Sequence, residues 1–185
     1  MLPEEVDSTE SSLDECVTDA EFRPVFEAQS SRVYRTLRAL GVHEACLDDA
    51  LQDVFLIVFR KLPSFVPEAQ LSTWIYAITY RVAQNYRRRT VRTTHAQLSE
   101  AELCPGQDPE SRVARAQAAQ FVRSFCDALS EKKRDVFVLC VLEERSAPEV
   151  ASTLGVKLDT VYSRLRLARN AFRAALKTKE MERQR

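Results

Sequence analysis

Glycine and proline are scarce in this 185-residue chain, with 3 Gly and 7 Pro, while 45% of its residues are hydrophobic. That balance favours a helical, globular protein. No strand pattern of useful length and no internal repeat is present. Histidine occurs twice, as His43 and His95, and neither stands near a cysteine pair. The five cysteines (Cys16, Cys46, Cys104, Cys126 and Cys140) show no CxxC or other metal-ligand spacing. An odd count without a framework reads as reduced thiols in a cytoplasmic protein that holds no metal. Cys126 and Cys140 lie among apolar neighbours and are expected in the core, and Cys104 is the expected exposed thiol. There is no run of 18 apolar residues and no basic-then-apolar leader, so a soluble chain without membrane insertion is expected. Nothing resembles a nucleophile–base pair, a phosphate-binding loop or a metal cluster. An enzyme, a catalytic residue or a cofactor therefore has no supporting motif.

Charge sums to zero and is segregated along the chain. Residues 1–21 hold eight acids (Glu4, Glu5, Asp7, Glu10, Asp14, Glu15, Asp19, Glu21) and no Lys or Arg. All 27 basic residues follow, against 19 acids. Residues 69–99 carry five Arg and no acid, and 157–185 carry nine basic residues against three acidic. Two separated basic patches suggest two polyanion contacts, although any one such run is more commonly a solvated face.

Periodicity divides the chain. Residues 1–18 are acidic, nearly free of large apolar side chains and expected to be disordered. Phe22, Val25, Phe26, Val33, Leu37 and Leu40 predict a helix within 19–43 that stops near Gly41. A second amphipathic helix over 45–62 buries Leu47, Leu51, Val54, Phe55, Val58 and Leu62. Pro63 and Pro67 break the chain into a loop, and Ser72 or Thr73 is the expected cap of a third helix reaching about Arg89. Residues 90–111 are polar, contain Pro105, Gly106 and Pro109, and read as a linker. A helix over 112–129 follows, with Val113, Ala116, Ala119 (or Gln120), Val122, Phe125 and Leu129 as packing positions. Ser130 caps the next helix, whose apolar run is Val136, Phe137, Leu139, Cys140 and Leu142. The expected fold is all-α. Two small helical domains, 19–90 and 112–177, are joined by a flexible linker at 91–111, with a charged tail at 178–185.

Residues 147–173, APEVASTLGVKLDTVYSRLRLARNAFR, form a helix-turn-helix pattern. Pro148, Val150, Ala151 and Leu154 give a first helix that stops at Gly155, a residue able to adopt positive φ. Asp159 or Thr160 is the expected cap of the second helix. In that helix Val161, Leu165, Ala168 and Phe172 make one buried stripe, while Tyr162, Ser163, Arg166, Arg169 and Arg173 face outward. One packed face and one face of donors is what base-edge readout needs. An ordinary helical hairpin with a solvated basic face has the same spacing.

The third helix also has two faces. Ile75, Ile78, Thr79, Val82 and Tyr86 cluster on one side. Trp74, Ala77, Arg81, Gln84, Asn85 and Arg88 cluster about a quarter-turn away, and Arg87 to Arg89 extend the charge. Aromatic, amide and guanidinium groups together suit unpaired bases. Against that, Trp74 also fits a core tryptophan at a helix start, and Tyr76 and Tyr80 fit partly exposed surface aromatics. On the second helix, Asp48, Asp49, Gln52 and Asp53 form an acidic face suited to a basic protein partner. It fits equally a solvated face whose acids favour the helix dipole.

The order of these parts carries a resemblance. LDDALQDVFLIVFRKLPSF (47–65), STWIYAITYRVAQNYRRR (72–89), DPE (108–110), ALSEKKRDVFVL (128–139) and PEVASTLGVKLDTVYSRLRLAR (148–169) resemble an extracytoplasmic-function (ECF) sigma factor of bacterial RNA polymerase across residues 20–175. The resemblance implies a cytoplasmic, monomeric promoter-specificity subunit with no cofactor and no catalysis of its own. Its implied partners are core RNA polymerase, promoter DNA and an anti-sigma factor. It implies that Asp49, Gln52 and Asp53 contact the polymerase. The loop Phe65–Leu71 would capture a flipped base of the −10 element. Trp74, Tyr76, Arg81, Asn85 and Arg88 would melt and hold the single-stranded −10 element. Thr160, Tyr162, Ser163, Arg164, Arg166 and Arg169 would read the duplex −35 element. Arg81 and Asn85 stand where many members carry Asn and Asp. Two other readings share the basic faces: a helix-turn-helix repressor acting without polymerase, and a helical interaction scaffold.

Overall fold

The structure is a computed structural model that describes residues 19–66, 70–90 and 109–183. The acidic extension 1–18, Pro67, the linker residues 91–108 and Cys104 lie outside the described residues. Among those described, every regular element is helical: α1 (Asp19–Ala39), α2 (Leu47–Lys61), α3 (Leu71–Thr90), α4 (Pro109–Ala128), α5 (Glu131–Phe137), α6 (Ala147–Leu154) and α7 (Leu158–Arg183). Short 3-10 turns at Glu44–Cys46 and Leu62–Ser64 flank α2, and a π turn, Val138–Leu142, prolongs α5.

The first unit is built by α1, α2 and α3. Val33, Leu37 and Leu40 of α1 meet Leu47, Ala50, Val54, Phe55 and Val58 of α2 and Ile75, Ile78, Val82 and Ala83 of α3, all buried. The predicted helical stripes are therefore the faces that pack, except that Phe26 stays partly exposed. Gly41 closes α1 with φ +87°. Its N–H bonds Arg38 and that of Val42 bonds Leu37, the paired bonds of a Schellman ending.

The second unit is built by α4 to α7. Val136, Phe137, Val138 and Leu139 pack on Val161, Leu165 and Ala168, with Phe125, Cys126 and Leu129 of α4 alongside. Cys126 is buried as expected, and Cys140 is half-buried against the core; burial pushes the Cys126 thiol up to about 11 and raises that of Cys140. Only the second half of α4 packs: Val113, Ala116, Ala119 and Gln120 are exposed, contrary to the expected stripe, and Val113 keeps 57% of its surface.

Several helix ends differ from the expectation. Helix α3 begins at Leu71, where the Gln70 carbonyl accepts from Thr73 and Trp74, so Ser72 and Thr73 sit inside the first turn. Helix α4 opens at Pro109, inside the expected linker. Proline suits a first-turn position because its missing N–H costs nothing there. Ser130 does hold the N-cap position of α5, but its side chain makes no capping bond. Helix α7 begins at Leu158 with the Lys157 carbonyl as first acceptor, so Asp159 and Thr160 do not cap it. It also runs on through the expected tail to Arg183. Lys, Glu, Met and Arg are all good helix formers, and charge alone did not end it.

Candidate nucleic-acid interface

Local chemistry fixes the helix-turn-helix. Ser146 and Glu149 form a capping box: the Glu149 N–H donates to the Ser146 hydroxyl and the Ser146 N–H donates to the Glu149 carboxylate at 2.9 Å. The Ser146 bonds hold Glu149 below the usual carboxylate range. Gly155 ends α6 with φ +63°, as expected. Its N–H bonds Ser152 and that of Val156 bonds Ala151. The tight turn aims the first turns of α7 outward. There Val161, Leu165 and Ala168 are buried and Phe172 is half-buried. Tyr162, Ser163, Arg166, Arg169 and Arg173 are exposed on the opposite side, with Tyr162 keeping 52% of its surface. Thr160 and Arg164 are half-buried at the edge.

Helix α3 presents three faces rather than two. At about 100° per residue, the core residues point one way and Trp74, Arg81, Asn85 and Arg88 point roughly a quarter-turn from them. Arg81, Asn85 and Arg88 are exposed. Trp74 is half-buried and lies against Phe65, ring centroids 5.2 Å apart, so the loop aromatic and the helix aromatic share one surface. Tyr76 does not join them. It lies about 200° around the helix from Trp74, retains 2% of its surface and packs against the second unit. Tyr80 is buried there too, contrary to the expected surface position, and its hydroxyl donates to Asp135 at 3.0 Å. Arg87 is likewise not part of the exposed charge. It is buried against Asp135 at 2.7 Å and Glu131 at 2.8 Å.

The acidic face of α2 is open at Asp48, Asp49 and Gln52. Asp53 is half-buried and accepts from the Tyr86 hydroxyl at 2.8 Å. Burial, then the Asp53 bond, pushes Tyr86 up to about 12. Among the described residues, no group of His, Cys, Asp and Glu is placed to hold a metal ion, and no helix is long and apolar enough to cross a membrane.

Sequence reasoning missed the residues that join the two units: Asp135, Glu143, Arg145 and the buried role of Arg87. Asp135, one residue before the apolar run Val136–Leu139, was one available signal, since a carboxylate at the edge of a core needs a partner. The S-x-x-E spacing of Ser146 and Glu149 was another, for the capping box.

Fold and surface together place the chain in the class of all-helical proteins whose second unit carries a helix-turn-helix. The model of Sigma-70 region 2 matches residues 25–93, and that of Sigma-70 region 4 matches residues 123–172. The chain is 31% identical over 147 residues to the ECF RNA polymerase sigma factor SigE of Mycolicibacterium smegmatis, covering 78% of this chain and 57% of that protein. It is 30% identical over 148 residues to the RNA polymerase sigma factor CnrH of Cupriavidus metallidurans, covering 75% of this chain and 78% of that protein. Two solved structures share the fold. One is CnrH in complex with the cytosolic domain of CnrY, with TM-score 0.62, 22% identity, and 87% and 90% of the two chains covered. The other is the sigma factor RpoE in complex with the anti-sigma factor NepR from Bartonella quintana, with TM-score 0.66, 18% identity, and 84% and 96% covered. The chain belongs to the ECF family of RNA polymerase sigma factors.

Proposed function

We propose that this chain is a promoter-specificity subunit. It binds core RNA polymerase, reads duplex −35 DNA with α7 and holds single-stranded −10 DNA with α3 and the loop before it. The observation that carries this reading is the pairing of two open donor faces on one chain, each backed by a buried stripe. Tyr162, Ser163, Arg166 and Arg169 stand over Val161, Leu165 and Ala168. Trp74, Arg81, Asn85 and Arg88 stand beside Ile75, Ile78 and Val82. The open carboxylate and amide of Asp49 and Gln52, with the half-buried Asp53, supply the polymerase contact. Catalysis belongs to the polymerase, and the chain works in the bacterial cytoplasm as a monomer. Domain limits follow the helices: 19–90 for the polymerase and −10 unit, and 109–183 for the −35 unit.

A protein inhibitor is part of the proposal. Both solved neighbours were determined with a bound partner, CnrY in one case and the anti-sigma factor NepR in the other. We propose an anti-sigma factor for this chain too.

Multi-round transcription from fragmented bacterial genomic DNA, with core polymerase and with or without this protein, tests the reading. Discrete new transcripts whose start sites share two spaced upstream elements are expected. Their absence with a folded protein would favour a helix-turn-helix protein acting without polymerase. Arg166→Ala tests the −35 assignment: the loss of a good guanidinium–base contact removes about 1–3 kcal/mol of discrimination. Promoter variants at one −35 position should then lose their ranking. Retention of the wild-type ranking defeats the assignment.

A further inference from the structure

Helix α2 offers two carboxylates and an amide on one side. Asp49 and Asp53 stand four residues apart, so they neighbour each other on the helix surface, with Gln52 beside them. Asp49 and Gln52 are exposed, whereas Asp53 is half-buried. Like charges at this spacing repel each other. Among the described residues no ion pair neutralises either acid. A carboxylate left to itself there would turn among its rotamers, and a partner would have to fix it at an entropic cost on binding.

Asp53 is not left to itself. The Tyr86 hydroxyl donates to its Oδ2 at 2.8 Å. Tyr86 continues the buried stripe of Ile75, Ile78 and Val82 by one further turn of α3, and its ring packs against the core. The Arg89 guanidinium lies over that ring, 5.6 Å from its centroid. The ring is therefore held on α3 before its hydroxyl reaches across to α2.

The kind of donor matters. An Arg or Lys in this place would orient Asp53 but cancel its charge. A phenol is neutral, so it orients the carboxylate and leaves the charge in place. A carboxylate accepts on both oxygens, so a bond to Oδ2 leaves Oδ1 for a donor from outside. An acidic face that must attract a basic partner needs both properties.

We infer that Tyr86 is a positioning residue of the polymerase contact: its hydroxyl fixes the Asp53 carboxylate in one orientation, still charged and with one oxygen left to accept from a basic group of core polymerase. The inference rests on the polymerase-contact reading of Asp49, Gln52 and Asp53. It also separates Tyr86 from its sequence neighbours. Asn85, Arg88 and Arg89 are exposed on α3, whereas Tyr86 is turned towards α2 and acts through Asp53.

The test uses the full chain with Tyr86→Phe, which removes the hydroxyl and keeps the ring and its packing. Fluorescence anisotropy of dye-labelled protein titrated with core RNA polymerase reads the affinity. Tyr86→Phe should weaken core binding roughly five-fold, within the usual range of coupling inside one hydrogen-bonded pair. The same change made on Asp53→Ala should weaken it no further. A merely structural role for the hydroxyl would cost the same in both backgrounds. Unchanged core binding by Tyr86→Phe, with Asp53→Ala still weakening it, overturns the positioning role and leaves the polymerase reading standing. An equal loss from Tyr86→Phe in both backgrounds overturns it as well. Unchanged binding by a folded Asp53→Ala protein strikes the polymerase reading of Asp53 and the inference with it. A second readout is independent of affinity. On a promoter found by genomic transcription, transcript yield at saturating Tyr86→Phe protein should match wild type. A lowered plateau with unchanged half-saturation would place Tyr86 in promoter opening and overturn the inference.

Discussion

Phe137→Ala is expected to destabilise the second unit by about 3–5 kcal/mol, the usual cost of emptying a buried phenylalanine site. Phe137 keeps 1% of its surface and is among the largest fully buried side chains. Its ring stacks edge-on against Phe125 at 5.1 Å and tilts against Phe172 at 5.4 Å, while those two meet at 5.0 Å. The three rings tie α4, α5 and α7 together, so the lost volume cannot be refilled by one neighbour. A domain of ordinary stability has about 5–15 kcal/mol in all, which makes this loss a large share of the total. Urea denaturation followed by circular dichroism measures it. Phe137→Leu, which keeps most of the volume, should cost far less. A midpoint for Phe137→Ala equal to wild type would mean that the ring cluster is not what joins the three helices. The proposed −35 readout would suffer with it, because Phe172 and Leu165 are packing positions of α7.

The helices were legible because their buried faces recur at three and four residues. Val33, Leu37 and Leu40, Val54 and Val58, and Val161, Leu165 and Ala168 are buried where periodicity put them. Gly155 was legible because a left-handed C′ position has few candidates. Helix ends were less so. Ser72, Thr73, Asp159 and Thr160 are good capping residues, yet α3 and α7 start earlier on the carbonyls of Gln70 and Lys157. Any residue can supply a backbone carbonyl, so nothing in the side chains announces it. The first half of α4 failed in the opposite way. Val113 and Ala116 keep helical spacing, but among the described residues they stay exposed.

The open faces of α3 and α7 were read from what those helices do not bury, which is local information. The polar contacts between the two units are not local. Arg87 and Asp135 are 48 residues apart, and Arg32 and Glu143 are 111 apart. A wheel of α3 does show Thr73, Tyr76, Tyr80, Gln84 and Arg87 on one side, a stripe of polar-tipped side chains. Such a stripe suits solvent as well as a partner, and only the fold decides. Tyr76 is the residue most affected: the family resemblance put it with Trp74, whereas helical geometry turns it to the far side.

Trp74→Ala should reduce open-complex formation about 5- to 150-fold, which is the loss of about 1–3 kcal/mol from one aromatic–base stack. Initial binding of the polymerase complex to duplex promoter should change little. The split follows from where Trp74 stands. Its half-exposed ring shares a surface with Phe65 and lies on the same side of α3 as Arg81, Asn85 and Arg88. That surface offers a stacking platform only to a base already out of the duplex, and extruding a base costs a few kcal/mol that the stack offsets. The duplex contacts proposed above are assigned to α7, which the substitution does not touch. Permanganate reactivity of thymines in the bubble measures opening, and gel shift on the closed complex measures binding. Because Trp74 also packs on Phe65, Trp74→Phe serves as a control that keeps a ring and should recover part of the opening. Unchanged permanganate footprints in a folded Trp74→Ala protein would remove Trp74 from strand capture and leave its contact with Phe65 as loop packing alone.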